Sequence, residues 1–442
     1  MKSTSITALV CGPVLIGIAA FGLFLLASAG ALDREVAAAR AHVARAFERG
    51  QLVENPFQHP STTIGSHQWN DCLILLMAID QRGDRTRLAL SPIIAGFPGV
   101  TEADENPCLA LKALVSGAAP DPDLYHYDRY VHGAVPVLRY LLPHLEVEQI
   151  RRLYRTLLSA VLILGLGLCL VGVARGIRMP AFAALAVVFL ALLRFFGLEF
   201  FSQSLGHGPA DILVGFYAVA IAVMLFLPIG PFAAVGTAAL FGALTVVFEL
   251  FTGGVPMGLA MVLGLSSLPA RRDMLPQGAR LAAWAATAFV SAAITVYLLR
   301  LLAVVSISDA AVAMDVVERL RHYSAAADTG LDLVAISRQV AASVGVLVGG
   351  MALVGWAAIA GGVVAGAYGA NWIRRHVSDS VTRQQAGLLM SSMAPIPIWF
   401  ALFPNQVGSH AWFMDRILVW PVAAGFALFV LAMAERGRSS HE

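Results

Sequence analysis

The sequence predicts an all-α polytopic membrane protein of about ten transmembrane helices, with a mainly helical extracytoplasmic domain between the first and second. Three observations lead there. Charged residues are 13% of the 442 and hydrophobic ones 58%, whereas a soluble domain carries about 25% charged residues. Mean hydropathy is +0.75. Apolar runs near the roughly 17–25 residues needed to cross a bilayer recur along the chain, and the long gap between them falls at residues 33–154.

The runs lie near 6–32, 156–174, 180–198, 211–229, 231–251, 255–269, 281–305, 341–368, 385–403 and 417–434. The first imitates a signal peptide, with Lys2 before it and Ala27-Ser28-Ala29 near its end. Its apolar run of about 25 residues exceeds the roughly 7–15 of a signal core, so residues 1–32 read as a retained anchor. Residues 33–154 then form the extracytoplasmic domain, and 155–442 a multi-span domain with a second outer segment at 306–340. The run at 255–269 is short. Gly253-Gly254-Val255-Pro256 before it also fits a break within a re-entrant hairpin.

Arginine placement sets the orientation. With the N-terminus in the cytoplasm, the inner connections carry Arg175 and Arg178, then Arg271, Arg272 and Arg280, then Arg374, Arg375 and Arg383, and the tail adds Arg436 and Arg438. Ten spans return the C-terminus to the cytoplasm, as expected at a bacterial inner (plasma) membrane. Arg151, Arg152 and Arg155 oppose the rule, but they end a long domain, where charge counts for less. The net charge of +2 argues for neither nucleic acid nor an acidic partner; the expected surroundings are a lipid bilayer. Oligomeric state is not encoded in any pattern here.

Within the outer domain, Asp33–Arg49 reads as a helix closed by Gly50. Asn106-Pro107 opens one that Gly117 closes. Trp69–Asp80 and Asp128–Leu142 are further candidates, the second interrupted at Pro136. Asn55–Ser66, Ile94–Pro107 and Gly117–Pro122 read as loops, and Asp309–Tyr323 as an amphipathic helix in the second outer segment. Cys72 and Cys108 both fall in the outer domain, so an oxidising compartment makes them a candidate disulfide. Cys11 and Cys169 fall inside spans, as small apolar side chains.

Ionisable groups near spans are costly and usually face a cavity or a partner. They gather here toward one level, the outer boundary beneath the soluble domain: Arg194 and Glu199, then His207 and Asp211, then Glu249, then His410, Asp415 and Arg416. Ser204-Leu205-Gly206-His207-Gly208-Pro209-Ala210-Asp211 sets a histidine between glycines before a helix start, where backbone can approach a ligand and anions are favoured; a tight loop capped by its histidine is the plain alternative. Glu249 sits at a helix end whose dipole disfavours it, which calls for a cation or a proton, unless the group is simply exposed at the interface. His410 to Arg416 also suits an aromatic interfacial belt. In the domain, Tyr125 to Gly133 packs three tyrosines, two histidines, an aspartate and an arginine into nine residues, and Arg129 suits phosphate or carboxylate. Asn70 and Asp71 beside Trp69 are a further candidate. Asp33 and Glu35 read more readily as solvated charges than as a catalytic pair.

Arg129-Tyr130-Val131-His132-Gly133, then Arg139-Tyr140-Leu141-Leu142, and Phe248-Glu249-Leu250-Phe251-Thr252 resemble a class of uncharacterised bacterial polytopic membrane proteins. That class carries R-Y-W-H-G followed by R-x-L-L, and F-D-F-L-T between later spans. Val131 stands for the tryptophan and Glu249 for the aspartate. The architecture also resembles the GT-C membrane glycosyltransferases, with many spans, a large first outer loop and an outer-side carboxylate, although no obvious D-x-D or E-x-D signature stands immediately after the first span. That resemblance implies an outer-face transferase using a polyprenyl-phosphate-linked donor in envelope glycan assembly. Glu249 or Asp71 would be the base, and His132 and His207 would assist proton movement. Arg129, Tyr130, Arg194, Glu199, Asp211, His410 and Arg416 would bind substrate. The competing expectations are a transporter or flippase, which would place charge at the midplane in repeated halves, and a non-catalytic scaffold of envelope assembly. No cofactor is predicted; the scattered histidines give a divalent metal no support.

Overall fold

The computed structural model describes residues 3–55, 67–97, 106–117, 122–128, 130–197, 203–227, 230–249, 253–269, 277–308, 311–324, 334, 337–338, 340–341, 352–409 and 414–439. Among these, nine helical stretches are long and apolar enough to cross a membrane. The chain is thus an α-helical polytopic membrane protein.

After α1 (Ser3–Gly30) comes a domain built from α2 (Val36–Glu48), α3 (His67–Ile79), α4 (Arg85–Leu90), β1 (Ile93–Gly96), α5 (Pro107–Ser116), β2 (Asp123–His126) and α6 (Ala134–Leu141). The punctuation of α5 follows its sequence: Asn106 Oδ1 accepts from Leu109 N at 3.0 Å, Pro107 takes the first turn, and Gly117 closes it at φ 65°. α2 starts at Val36 rather than Asp33, because Asp33 and Glu35 are left-handed, with φ 60° and 40°. Two further expectations need correction. Ile93–Gly96, read partly as loop, pairs antiparallel with Asp123–His126 in a two-stranded sheet. Pro136 lies in the first turn of α6, where its missing N–H costs nothing, so it begins the helix instead of interrupting one that starts at Asp128.

The membrane helices follow as α7 (Val147–Ala174), α8 (Met179–Leu192) with a π-turn at Leu193–Gly197, α9 (Gly208–Phe226), α10 (Pro231–Phe248), α11 (Gly254–Leu265) and α12 (Gln277–Ile307). Then come α13 (Ala311–Tyr323), α14 (Ala352–His376), α15 (Ser380–Ser391), α16 (Pro395–Leu402), α17 (Pro404–Ser409) and, after a 3-10 turn at Asp415–Leu418, α18 (Val419–Ser439). Of the run at 341–368, residues 342–351 lie outside the described residues and the rest falls in α14, which extends to His376, while 385–403 divides into two helices.

With 12 residues, α11 is too short to be one of the nine, yet its ends reach both levels of the bundle. Gly253 lies against Ile417, on the domain side. Beyond its other end, Pro269 O accepts from Arg178 Nη1 at 2.6 Å, and the Ser267 and Leu268 carbonyls accept from Gln385 Nε2. Residues 253–269 cover only about 24 Å as helix, less than a hydrocarbon core of about 30 Å.

Two apolar cores meet at the seam. The membrane core is lined by residues such as Phe182, Phe189, Phe241, Phe289 and Trp420. The domain core is built on α3 and takes in Tyr154 from α7 and Leu205 from the loop before α9. Cys72 and Cys108 are disulfide-bonded, joining α3 to α5 across a sequence separation of 36. Such a loop restrains the unfolded chain by about 3–4 kcal/mol in the entropic account. Reduction, or Cys72→Ala with Cys108→Ala, should therefore lower the thermal midpoint in detergent; an unchanged midpoint would show the bond contributes nothing to stability.

Candidate functional site

The seam between domain and bundle holds a buried set of charges: Asp71, Arg151, His207, Asp211, Glu249 and Arg416, none more than 5% exposed. They come from α3, α7, the loop before α9, α9 itself, the end of α10 and the turn before α18. Burying such groups is costly unless they pair. They pair in two halves.

In the first, Asp71 uses both oxygens. Oδ2 accepts from Arg151 Nη2 at 2.9 Å and Nε at 3.3 Å; Oδ1 accepts from Leu205 N at 2.7 Å and Ser204 Oγ at 3.3 Å. Arg151 also donates to Gln51 O at 3.0 Å. One carboxylate thus ties α3 of the domain to the first turns of α7 and to the loop that starts α9. With its acceptor sites taken by a guanidinium and a backbone amide, Asp71 is a poor general base. Its geometry is that of a clamp. Of the three arginines that oppose the positive-inside expectation, Arg151 is buried against this carboxylate.

In the second half, Glu249 ends α10 and faces α11. Its Oε1 accepts from Gly254 N at 3.0 Å, so the carboxylate disfavoured at one helix C-terminus caps the N-terminus of the next. Oε2 takes Arg416 Nη2 and, at 3.3 Å, His207 Nδ1. Arg416 Nη1 lies 3.3 Å from Asp211 Oδ1, so one guanidinium bridges two carboxylates. His207 donates through Nδ1–H, which makes Nε2 the accepting nitrogen. Burial, and then the charge of Arg416, push the imidazole below its ordinary 6.5, although Glu249 pulls the other way. His207 is neutral at pH 7.

The glycines beside His207 serve packing. A Cβ on Gly206 would strike Asn70 Nδ2, and one on Gly208 would meet Tyr154 Cδ2 at 2.6 Å. The loop is pressed between α3 and α7, so the close backbone approach expected of a ligand is made by protein. A similar approach joins the two sequence motifs. Gly133 N donates to Val247 O at 2.8 Å, and a Cβ there would meet Val247 Cγ1 at 2.6 Å. The Tyr130–Gly133 stretch therefore docks on the end of α10, two residues before Glu249.

Other candidates stand apart. His132, left-handed at φ 57°, directs Nε2 to Tyr127 O at 3.1 Å and packs with the Tyr127 and Tyr130 rings. Arg194 is exposed on the π-turn, over the Phe195 ring. Arg139 is buried and donates Nη2 to Met77 O at 3.1 Å; burial pushes it down to about 10. Arg129, Glu199 and His410 lie outside the described residues. Among the described residues no group of three or more His, Cys, Asp or Glu is arranged to hold a metal ion. One residue escaped the sequence reading altogether: Arg300, buried at the domain end of α12. An arginine inside the apolar run at 281–305 was the signal that could have found it.

No protein-family model matches the chain, and comparison with curated proteins and with solved structures finds no match either.

The clamp predicts a particular pattern of stability. Asp71→Ala leaves Arg151 buried without its carboxylate and should cost about 3–5 kcal/mol. Asp71→Ala with Arg151→Met should regain much of that loss. Additive losses in a double-mutant cycle of thermal unfolding would show that the two side chains are not coupled.

Proposed function

We propose that the protein is an outer-face membrane transferase acting on a lipid-linked substrate, with residues 33–154 outside the cytoplasmic membrane and His207 and Glu249 as its acid–base pair. The observation that carries this reading is the buried His207–Glu249 contact at the seam beneath the domain. A neutral imidazole whose Nδ1–H is held by a carboxylate presents Nε2 as a base, the arrangement that activates hydroxyl nucleophiles on unrelated folds. The Glu249 carboxylate is engaged by Arg416 and by the Gly254 amide, which suits it to orienting the imidazole. His207 Nε2 would then take the proton of an acceptor hydroxyl, and Glu249 would stabilise the imidazolium formed. The depth of the pair, at helix ends and not mid-bundle, favours a substrate held at headgroup level over a transported solute. A GT-C-like transfer from a polyprenyl-phosphate donor in envelope glycan assembly fits this placement.

The outer location is supported by the arginines on the opposite side, Arg175, Arg178, Arg374, Arg375 and Arg383, and by the disulfide, since disulfides persist in oxidising compartments. In spheroplasts with Cys11→Ser, a membrane-impermeant maleimide should label Asp123→Cys and not Arg375→Cys. The reverse pattern would place the domain in the cytosol.

For the chemistry, the gene's deletion strain should lose an envelope glycan residue or accumulate a lipid-linked precursor. Glu249→Gln and His207→Gln should fail to complement while the proteins still accumulate, with transfer in isolated membranes down by at least about 100-fold. Because His207 is depressed, its protonation should cut activity below pH 6.5 and leave the neutral range flat. A fully active Glu249→Gln would remove that residue from the chemistry. An unchanged envelope in the deletion strain would count against the transferase reading itself.

A further inference from the structure

A second buried charge cluster lies where the domain meets the end of α12, and the seam chemistry does not use it. Arg300 is 1% exposed. It donates Nη1 to the Asp128 carbonyl, while its Nη2 stands 4.0 Å from Asp128 Oδ1. From α4, Arg87 Nη2 stands 3.7 Å from Asp128 Oδ2. Both ion pairs are longer than a hydrogen bond of about 2.7–3.2 Å. Arg300 Nε and Nη2, Arg87 Nε and Asp128 Oδ1 are all buried without a hydrogen-bond partner. Orphaned donors of this kind are rare, and each is costly. Two guanidinium groups therefore converge on one carboxylate and leave three donor nitrogens unused around it.

Charge and depth both bear on the ligand. Arg87 and Arg300 against Asp128 leave one positive charge, and Asp84, which caps α4 through Arg87 N, is exposed and screened by water. His126 is half-buried beside them with Nδ1 on Ser91 O; burial lowers its pKa, and Arg87 adds to that, so it brings no further charge at pH 7. Arg300 sits about eight residues, or about 12 Å, from the middle of α12, close to the edge of a hydrocarbon half-thickness of about 15 Å. Arg87, about a third exposed, opens the cluster outward. A single negative charge with several acceptor oxygens, arriving at headgroup depth, meets all of these conditions.

We propose that Arg87 and Arg300, held apart by Asp128, bind the phosphodiester group of a membrane lipid. The monoanionic diester matches the single excess charge, which a dianionic free phosphate does not. Its oxygens accept from Arg300 Nε and Nη2 and from Arg87 Nε, the geometry in which guanidinium groups outperform ammonium. The site stands on α4 and α12 and is independent of the His207–Glu249 reading, which can fail without affecting it.

The test is thermal unfolding of the full chain in detergent, titrated with short-chain phosphatidylglycerol, with short-chain diacylglycerol and with inorganic phosphate. Phosphatidylglycerol should raise the midpoint saturably, with the other two inert. Arg87→Gln, which changes a partly exposed group, should weaken the apparent affinity by at least about tenfold; Arg300→Lys should do the same where it folds. Arg87→Gln binding as tightly as wild type overturns the proposal. So does an equal shift from diacylglycerol, or no saturable shift at all. An equal shift from inorganic phosphate overturns the lipid assignment in favour of a free anion.

Discussion

A carboxylate taken out of water must find its counter-charge inside the protein, and much of this molecule's arrangement follows from one such demand. Asp71 sits fully buried on α3, and what satisfies it comes from elsewhere: Arg151 from the start of α7, and the Ser204 hydroxyl and Leu205 amide from the loop before α9. Because the pair is dry, the partners cannot separate without leaving an uncompensated ion. The domain is thereby fixed on the bundle by a polar contact with exacting geometry, and apolar contacts such as Leu205 in the domain core fill in around it. The same logic repeats beside it, where Arg416 pairs with Glu249 and lies against Asp211.

Two glycine contacts show how sequence motifs become geometry. The short motif stretches around His132 and Glu249 are more than a hundred residues apart. They meet because Gly133 has no side chain to hold the Val247 carbonyl away. Gly206 and Gly208 act alike on either side of His207, letting α3 and α7 close on the loop. The imidazole is thus positioned by backbone pressed from two directions, with Nδ1 held against the Glu249 carboxylate.

How much of this was legible in the sequence depended on the range of the interaction. Membrane helices announce themselves locally, because each must satisfy its own backbone in hydrocarbon, and the polytopic helical class could be read from the apolar runs. The α5 boundaries were also local, set by Asn106, Pro107 and Gly117. The pairing of Ile93–Gly96 with Asp123–His126 was not, since four-residue strands in a small sheet carry little periodicity and depend on a partner thirty residues away. At the seam, His207, Asp211, Glu249 and Arg416 could be grouped by depth, but not their bonding. Asp71 looked like a base until its acceptors were counted. Arg300 escaped notice because one arginine hardly alters the hydropathy of a long run.

That Arg416 is translated well after Asp211 and Glu249 has a consequence for biogenesis. Synthesis is vectorial, so α9 and α10 deliver Asp211 and Glu249 long before the final helix emerges. Until it does, those two acids have no guanidinium and must stay protonated or hydrated, which keeps the interface between early helices loose. Insertion of the closing segment supplies the charge that dries it. A nascent chain that stalls before this point carries an unfinished ionic centre, and so is marked as incomplete by its own electrostatics.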